Sequence, residues 1–190
     1  MIKTKEDLRL YISRDRERYS LNKRGLFLNK LIGGDSYRAI HFLKSLRYCE
    51  YYSNNRSKGL YYKFMAFYYD FKTKRLGNKY KVMIGINKCG PGLRLVHLNG
   101  GIIIRAKSVG ENFTINSGCV VGKKNDMQPT IGNNVDMSVG SVAIGGITIG
   151  DNVIIGPNSV VIKDVPSNCA VAGIPAKVIK TYIPPSECHE

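Results

Sequence analysis

The sequence predicts a mainly β protein: a parallel β-helix of six-residue repeats behind a helical, basic N-terminal region. Three observations carry this. Aliphatic residues recur every six positions through the second half of the 190-residue chain. Charge breaks near residue 80: residues 1–80 hold 19 basic and 7 acidic residues, a net +12, and the remainder 10 and 7, a net +3. Eleven of the twelve Tyr and five of the six Phe also precede the break, so two architectures are expected, with boundaries at 1–79, 80–180 and a tail at 181–190.

The first region reads as three helices. Thr4 suits an N-cap, with Glu6 and Asp7 in the opening turn and Leu8 with Tyr11 or Ile12 on one side. Asp35 or Ser36 suits the start of a second helix, in which Ala39, Phe42, Leu43, Leu46 and Cys49 recur at spacings of three or four. Ser57 suits the start of a third, with Leu60, Phe64, Phe67, Tyr68 and Phe71 as its apolar stripe and Gly77 as its stop. The aromatics are expected to pack between helices while Lys and Arg face water. The same charge also suits anionic lipid, each base near such a surface contributing roughly 1 kcal/mol. Nucleic acid is not expected as a partner, because no recognisable binding motif accompanies the charge.

Several classes are excluded. A hydrophobic content of 43% is too high for a disordered chain. No apolar run reaches the roughly 18 residues of a membrane span. The opening MIKTKEDLRL lacks the apolar core of a signal peptide and reads as mature, cytoplasmic protein. Cys49, Cys89, Cys119, Cys169 and Cys188 never form CxxC, so reduced thiols are expected. His41, His97 and His189 are scattered without metal-ligand spacing, so no metal site is expected.

The repeat is specific. Ile103, Val109, Ile115 and Val121 are six apart, as are Ile131, Met137, Ala143, Ile149, Ile155 and Val161. Small or apolar residues stand four later at Cys119, Val135, Ser141, Val153, Ser159 and Val165. Such a period fits short strands that turn at regular corners and stack coil on coil. Gly and Asn at the corners supply backbone conformations other residues resist. Between Val121 and Ile131 the spacing is ten, so GKKNDMQPT is expected to leave the wall as a loop.

These hexads, with SVVIKDVPSNCAVAGIPAKVIK (159–180), resemble the left-handed β-helix acyltransferases. The order of helices, GPGLRLVHLNGG (90–101) and hexads resembles the serine acetyltransferase branch. The resemblance implies a left-handed coil, a homotrimer with active sites between neighbouring prisms, and acetyl-CoA as cosubstrate without a metal. His97 matches the family's general base, which would strip a proton from an acceptor hydroxyl as it attacks the thioester. On the acetyl-CoA side the likeness carries over to Val139 and Pro157, with Gly145 and Ser159 by neighbourhood. Lys163, Lys177 and Lys180 match positions that favour Lys or Arg beside the CoA phosphates.

Departures from the family shape the expected acceptor. Its members carry an Arg-His-Pro sequence at the end of the loop, where this chain has Met127-Gln128-Pro129. Val96 stands where they have an Asp before the base, and Met83 falls near the Asp that orients it. Losing an Arg and an Asp removes partners for the carboxylate and ammonium of serine. Gln128, with Asp126 and Asn99, is therefore expected to position a sugar or surface-polysaccharide hydroxyl. A lipid-linked carbohydrate acceptor would place the basic region at the inner face of the membrane. Serine O-acetylation for cysteine biosynthesis is the alternative within the family. A noncatalytic β-helix that binds membrane or acidic polymer is the alternative outside it.

Overall fold

The structure, a computed structural model, describes residues 1–20 and 23–182. His189 and Cys188 of the expected tail lie outside the described residues. Four α-helices come first: α1 (Lys5–Glu17), α2 (Lys23–Leu31), α3 (Asp35–Asn54) and α4 (Leu60–Tyr80). Short strands follow: β1 (Val82–Ile84), β2 (Arg94–Leu95), β3 (Ile102–Ile104), β4 (Ser108–Val109) and β5 (Thr114–Ile115). Next are β6 (Val120–Gly122), β7 (Thr130–Ile131), β8 (Asp136–Met137), β9 (Val142–Ile144) and β10 (Thr148–Ile149). The last are β11 (Val153–Ile155), β12 (Val160–Val161), β13 (Cys169–Gly173) and β14 (Ala176–Thr181).

The strands stack into three parallel walls, ordered β1-β3-β6-β9-β12, β4-β7-β10 and β2-β5-β8-β11-β13, with β14 closing the third wall antiparallel to β13. The expected anchors Val109, Ile115, Val121, Ile131, Met137, Ala143, Ile149, Ile155 and Val161 all point into the interior. So do the small residues four positions later, from Cys119 to Val165. Ile103 does not. It pairs with Val120, while Ile104 pairs with the anchor Val121. Ile102 and Ile104 are the buried residues of that strand, so the repeat slips by one position between Ile104 and Val109.

One corner of the prism is built by Asn112, Asn134, Asn152 and Asn168, each at positive φ. Their side chains form a ladder, each amide N–H donating to the next side-chain oxygen at 3.0, 2.9 and 2.7 Å. Asparagine serves here because it tolerates the left-handed region and its amide donates and accepts at once. Arg14 of α1 caps the ladder, donating to Asn112 Oδ1 at 3.1 Å.

The helices cover the N-terminal end of the solenoid, where an exposed coil would leave its strand edges unpaired. Thr4 caps α1 as expected: its hydroxyl accepts the Asp7 N–H at 3.0 Å, and Asp7 accepts the Thr4 N–H at 2.9 Å. The Tyr19 hydroxyl bonds both backbone groups of Leu95 in edge strand β2. In α3 the expected stripe from Ala39 to Cys49 is buried. Its first residue is Asp35, but Gly34 occupies the cap position. Helix α2 lies where no helix is expected from the sequence.

Helix α4 departs from expectation in three ways. Gly59, not Ser57, precedes its first residue. Gly77 does not stop it: an added Cβ there would lie 2.6 Å from the Val82 carbonyl oxygen, so Gly77 lets helix and wall touch. The helix ends at Lys81, which adopts φ 57°. The face packed on α3 uses the small residues Ala66, Thr73 and Gly77, with Ser45 and Thr73 sharing a hydrogen bond at 2.9 Å. The stripe expected to pack, Leu60, Phe64, Phe67, Tyr68 and Phe71, points instead to solvent.

Arg47 of α3 joins the two architectures. It is fully buried and donates to both Asp15 carboxylate oxygens at 2.8 and 3.2 Å, to Glu50 at 3.0 Å, and to the carbonyls of Cys89 and Gly90 at 2.9 and 2.7 Å. Replacing Arg47 by Met leaves two buried carboxylates unpaired and should cost about 3–5 kcal/mol in denaturant unfolding. A second expectation concerns acid. Backbone N–H groups of Thr4 and Lys3 hold the Asp7 carboxyl below its ordinary value of 3.8. The folded value being the lower, this contribution is present above the unfolded value and is lost as pH falls through the folded one. Thermal melts of wild type and Asp7→Asn should therefore differ at neutral pH and converge under acid.

Candidate active site

His97 sits at the turn between β2 and β3. Its backbone is in the left-handed region, φ 53° and ψ 74°, a conformation that costs a non-glycine residue about 1–3 kcal/mol. Buried Leu95 and Leu98 anchor either side of it. The turn is also pinned to the next coil, since Gly100 donates to Ser117 Oγ at 2.8 Å and Gly118 donates to the Gly101 carbonyl at 2.7 Å. The imidazole is thereby held outward, with 76% of its side-chain surface exposed.

A carboxylate meets it from the helical region. Asp35 Oδ2 lies 3.5 Å from His97 Nδ1, and Asp35 Oδ1 lies 3.7 Å from Arg38 Nη1. Imidazole, carboxylate and guanidinium thus gather at the start of α3. Since Gly34 holds the cap position, the Asp35 side chain makes no capping hydrogen bond and is left to face the ring. From the sequence, Asp35 reads only as a helix start. The single available signal was its acidic type at a helix N-terminus, which does not reveal a partner 62 residues away. Met83, near the position of the missing orienting Asp, is half exposed and contacts Arg105 instead.

The remaining candidates fall on two edges of the prism. One edge carries, coil by coil, the His97–Gly101 turn, Ser117–Gly118, Val139–Gly140 and Pro157–Asn158. Gly140 N–H bonds the Ser117 carbonyl and Asn158 N–H bonds the Val139 carbonyl, both at 2.9 Å. Val139 and Pro157 are exposed there, as is Asn99, two residues after His97. A cavity of about 370 Å³ opens next to this edge, lined by Gly100, Gly101, Gly118 and Val120 among others.

The other edge lies across the wall formed by β6, β9 and β12. Here the residues between β6 and β7 form a short hairpin, with Lys124 and Met127 exchanging backbone hydrogen bonds and Asn125 and Asp126 at positive φ. The hairpin rests on Gly145 and Gly146, and a Cβ added to Gly146 would lie 2.9 Å from that of Met127. Asp126 is almost wholly exposed and pairs with Lys123 of its own loop at 2.6 Å. Gln128 lines a cleft of about 630 Å³ between α4 and the first coils, together with Asp70, Lys74, Met83 and Arg105. His97 lines neither cavity. Lys163 stands one coil beyond Gly145 and is exposed.

The last three candidates differ in setting. Ser159 points inward, where its hydroxyl accepts the Gly173 N–H at 3.1 Å, so its side chain belongs to the wall rather than to a surface site. Lys177 and Lys180 are exposed on β14, with Lys180 Nζ 5.3 Å from the ring of Tyr182. Cys49, Cys89, Cys119 and Cys169 are free and buried, and burial pushes the Cys89 thiol up to about 12, so it is no nucleophile at neutral pH. Among the described residues, no three His, Cys, Asp or Glu side chains gather where they could hold a metal.

This hexad β-helix capped by helices is similar to solved structures of hexapeptide-repeat transferases, among them a Brucella melitensis protein with 26% identity and a TM-score of 0.68. Within that class the chain is similar to serine acetyltransferases. The serine acetyltransferase of Synechococcus elongatus is 40% identical over 96 residues, which are 48% of this chain and 39% of that protein. The chain therefore aligns with less than half the length of the curated relatives it matches. A Neisseria gonorrhoeae serine acetyltransferase solved in complex with serine is 27% identical, with a TM-score of 0.66, covering 90% of this chain and 67% of that one. A serine acetyltransferase solved with CoA is 26% identical, with a TM-score of 0.67, covering 92% and 69%. No family model matches the chain.

Proposed function

We propose that this chain is an acetyl-CoA-dependent O-acetyltransferase in which His97 is the general base. The exposed ring at its strained turn, backed by a carboxylate, carries the reading. The hydroxyl proton passes to the imidazole as the hydroxyl oxygen attacks the thioester carbonyl, and collapse of the tetrahedral intermediate expels CoA. Asp35 stabilises the imidazolium that forms. Val139 and Pro157, on the same edge as the base, are suited to flank the pantetheine arm, and Lys163, Lys177 and Lys180 to meet phosphate; that a similar protein was solved with CoA supports CoA as the ligand.

The acceptor that this arrangement suits best is serine. Asp35 offers a partner for an ammonium group and Arg38 one for a carboxylate, both beside the base. This pair supplies what the loss of the family's Arg and Asp had seemed to take away. The serine complex of a similar enzyme supports the same acceptor. A sugar hydroxyl is the second reading, favoured by one observation: the loop presents neutral Gln128 and Met127.

The expected assembly is a homotrimer. His97 and Gln128 lie on opposite sides of one wall, so a single chain does not join them, whereas a groove between two copies would. The test is release of CoA by purified protein, with serine and with a panel of sugars. Serine-dependent release should fall about 10²–10⁴-fold in His97→Ala. Asp35→Asn should raise the KM for serine by about 10- to 100-fold, the worth of a charge-assisted hydrogen bond of about 1.5–3 kcal/mol. Release with a sugar and none with serine would favour the second reading, and equal release by wild type and His97→Ala would reject the enzyme.

A further inference from the structure

Helix α4 shows the solvent an apolar face that nothing among the described residues covers. Leu60, Phe64, Phe67 and Phe71 are spaced by four, three and four, which places them on one stripe, and they are 83, 67, 70 and 60% exposed. Tyr61 and Tyr68 flank the stripe, also exposed. Isolated exposed apolar side chains are ordinary, but an aligned aromatic row over three turns, roughly 18 Å of helix, marks a surface built to meet something.

The charges around the row select its partner. Arg56 and Lys58 precede it, Lys63 lies beside it, and Lys72, Lys74, Arg75, Lys79 and Lys81 follow. The one acid in this stretch, Asp70, is paired with Lys74 at 2.8 Å. A second copy meeting this face by an antiparallel two-fold would set Arg56 and Lys58 against the partner's basic end, so self-pairing is opposed by like charge. An anionic bilayer satisfies both features at once, taking the aromatic row into its headgroup boundary and the flanking bases onto its phosphates. No helix among the described residues is long and apolar enough to cross a membrane, so the contact is one of surface docking.

We propose that the outward face of α4, from Leu60 to Phe71 with its flanking bases, docks the protein on the surface of an anionic lipid bilayer. The inference is independent of the acceptor and of the catalytic assignment. Vesicles of phosphatidylcholine with and without phosphatidylglycerol supply the test, by co-sedimentation of the full chain. Wild type should bind the anionic vesicles at least about tenfold better than the neutral ones, and lose binding as salt shortens the Debye length from about 10 Å at 0.1 M. The triple variant Phe64→Ser, Phe67→Ser, Phe71→Ser should stay unbound while keeping its circular dichroism and its rate of CoA release in solution. Lys72→Gln with Lys74→Gln and Arg75→Gln should weaken binding to anionic vesicles alone. Wild type left in the supernatant at low salt overturns the proposal. So does a triple-serine variant with a smaller mass than wild type by light scattering, since the face would then be a contact between copies.

Discussion

The buried guanidinium of Arg47 is the constraint on which the arrangement of the two halves depends. Burial alone would push its pKa down, but Asp15 and Glu50 beside it hold it well above its ordinary range and keep it charged. Its bonds reach α1 through Asp15, its own helix through Glu50, and the entering strand through the carbonyls of Cys89 and Gly90. Asp15 in turn accepts the N–H groups of Gly92 and Leu93, and Glu50 that of Asn87. A buried charge network of this kind adds little net stability over a well-packed apolar one, but it admits few alternative geometries. It therefore fixes the rotation and height of α3 against the first coil. Asp35 at one end of α3 and His97 four residues after Leu93 are brought together by that fixed relation.

The solenoid supplies the complementary rigidity. Each coil bonds to the next along three walls and along the asparagine corner, so a residue placed at a corner is repeated in line by its successors. This is why Val139 and Pro157 follow the His97 turn along one edge, while the hairpin, Gly145 and Lys163 follow one another along a second. The geometry distributes candidate groups between the two borders of a single wall. Such a distribution suits a groove shared between neighbouring prisms better than a pocket inside one chain.

The six-residue period determined the walls, the buried anchors and the projecting loop from the sequence alone, because a repeat states its own geometry many times over. His97 as a candidate base was legible only through the resemblance of Gly90, Gly92 and the ring to a segment of a known family. A single-residue slip at Ile103 was hidden because three consecutive isoleucines fit either phase, and pairing with β6 decided which of them turned inward. The helical half was less legible, since an apolar stripe specifies a face but not what covers it. Small residues on α4 let it approach α3 closely, and that choice turned Leu60, Phe64, Phe67 and Phe71 outward.

Local chemistry therefore fixed what each segment can be, through periodicity, capping and backbone preference. Only the tertiary structure decided which distant segments meet. Asp35 beside His97, Arg47 between two carboxylates, and Gly77 against the Val82 carbonyl are contacts between residues far apart or on different elements. No pattern of neighbours encodes them, because each arises from how helices of fixed length and face settle on the end of a rigid prism.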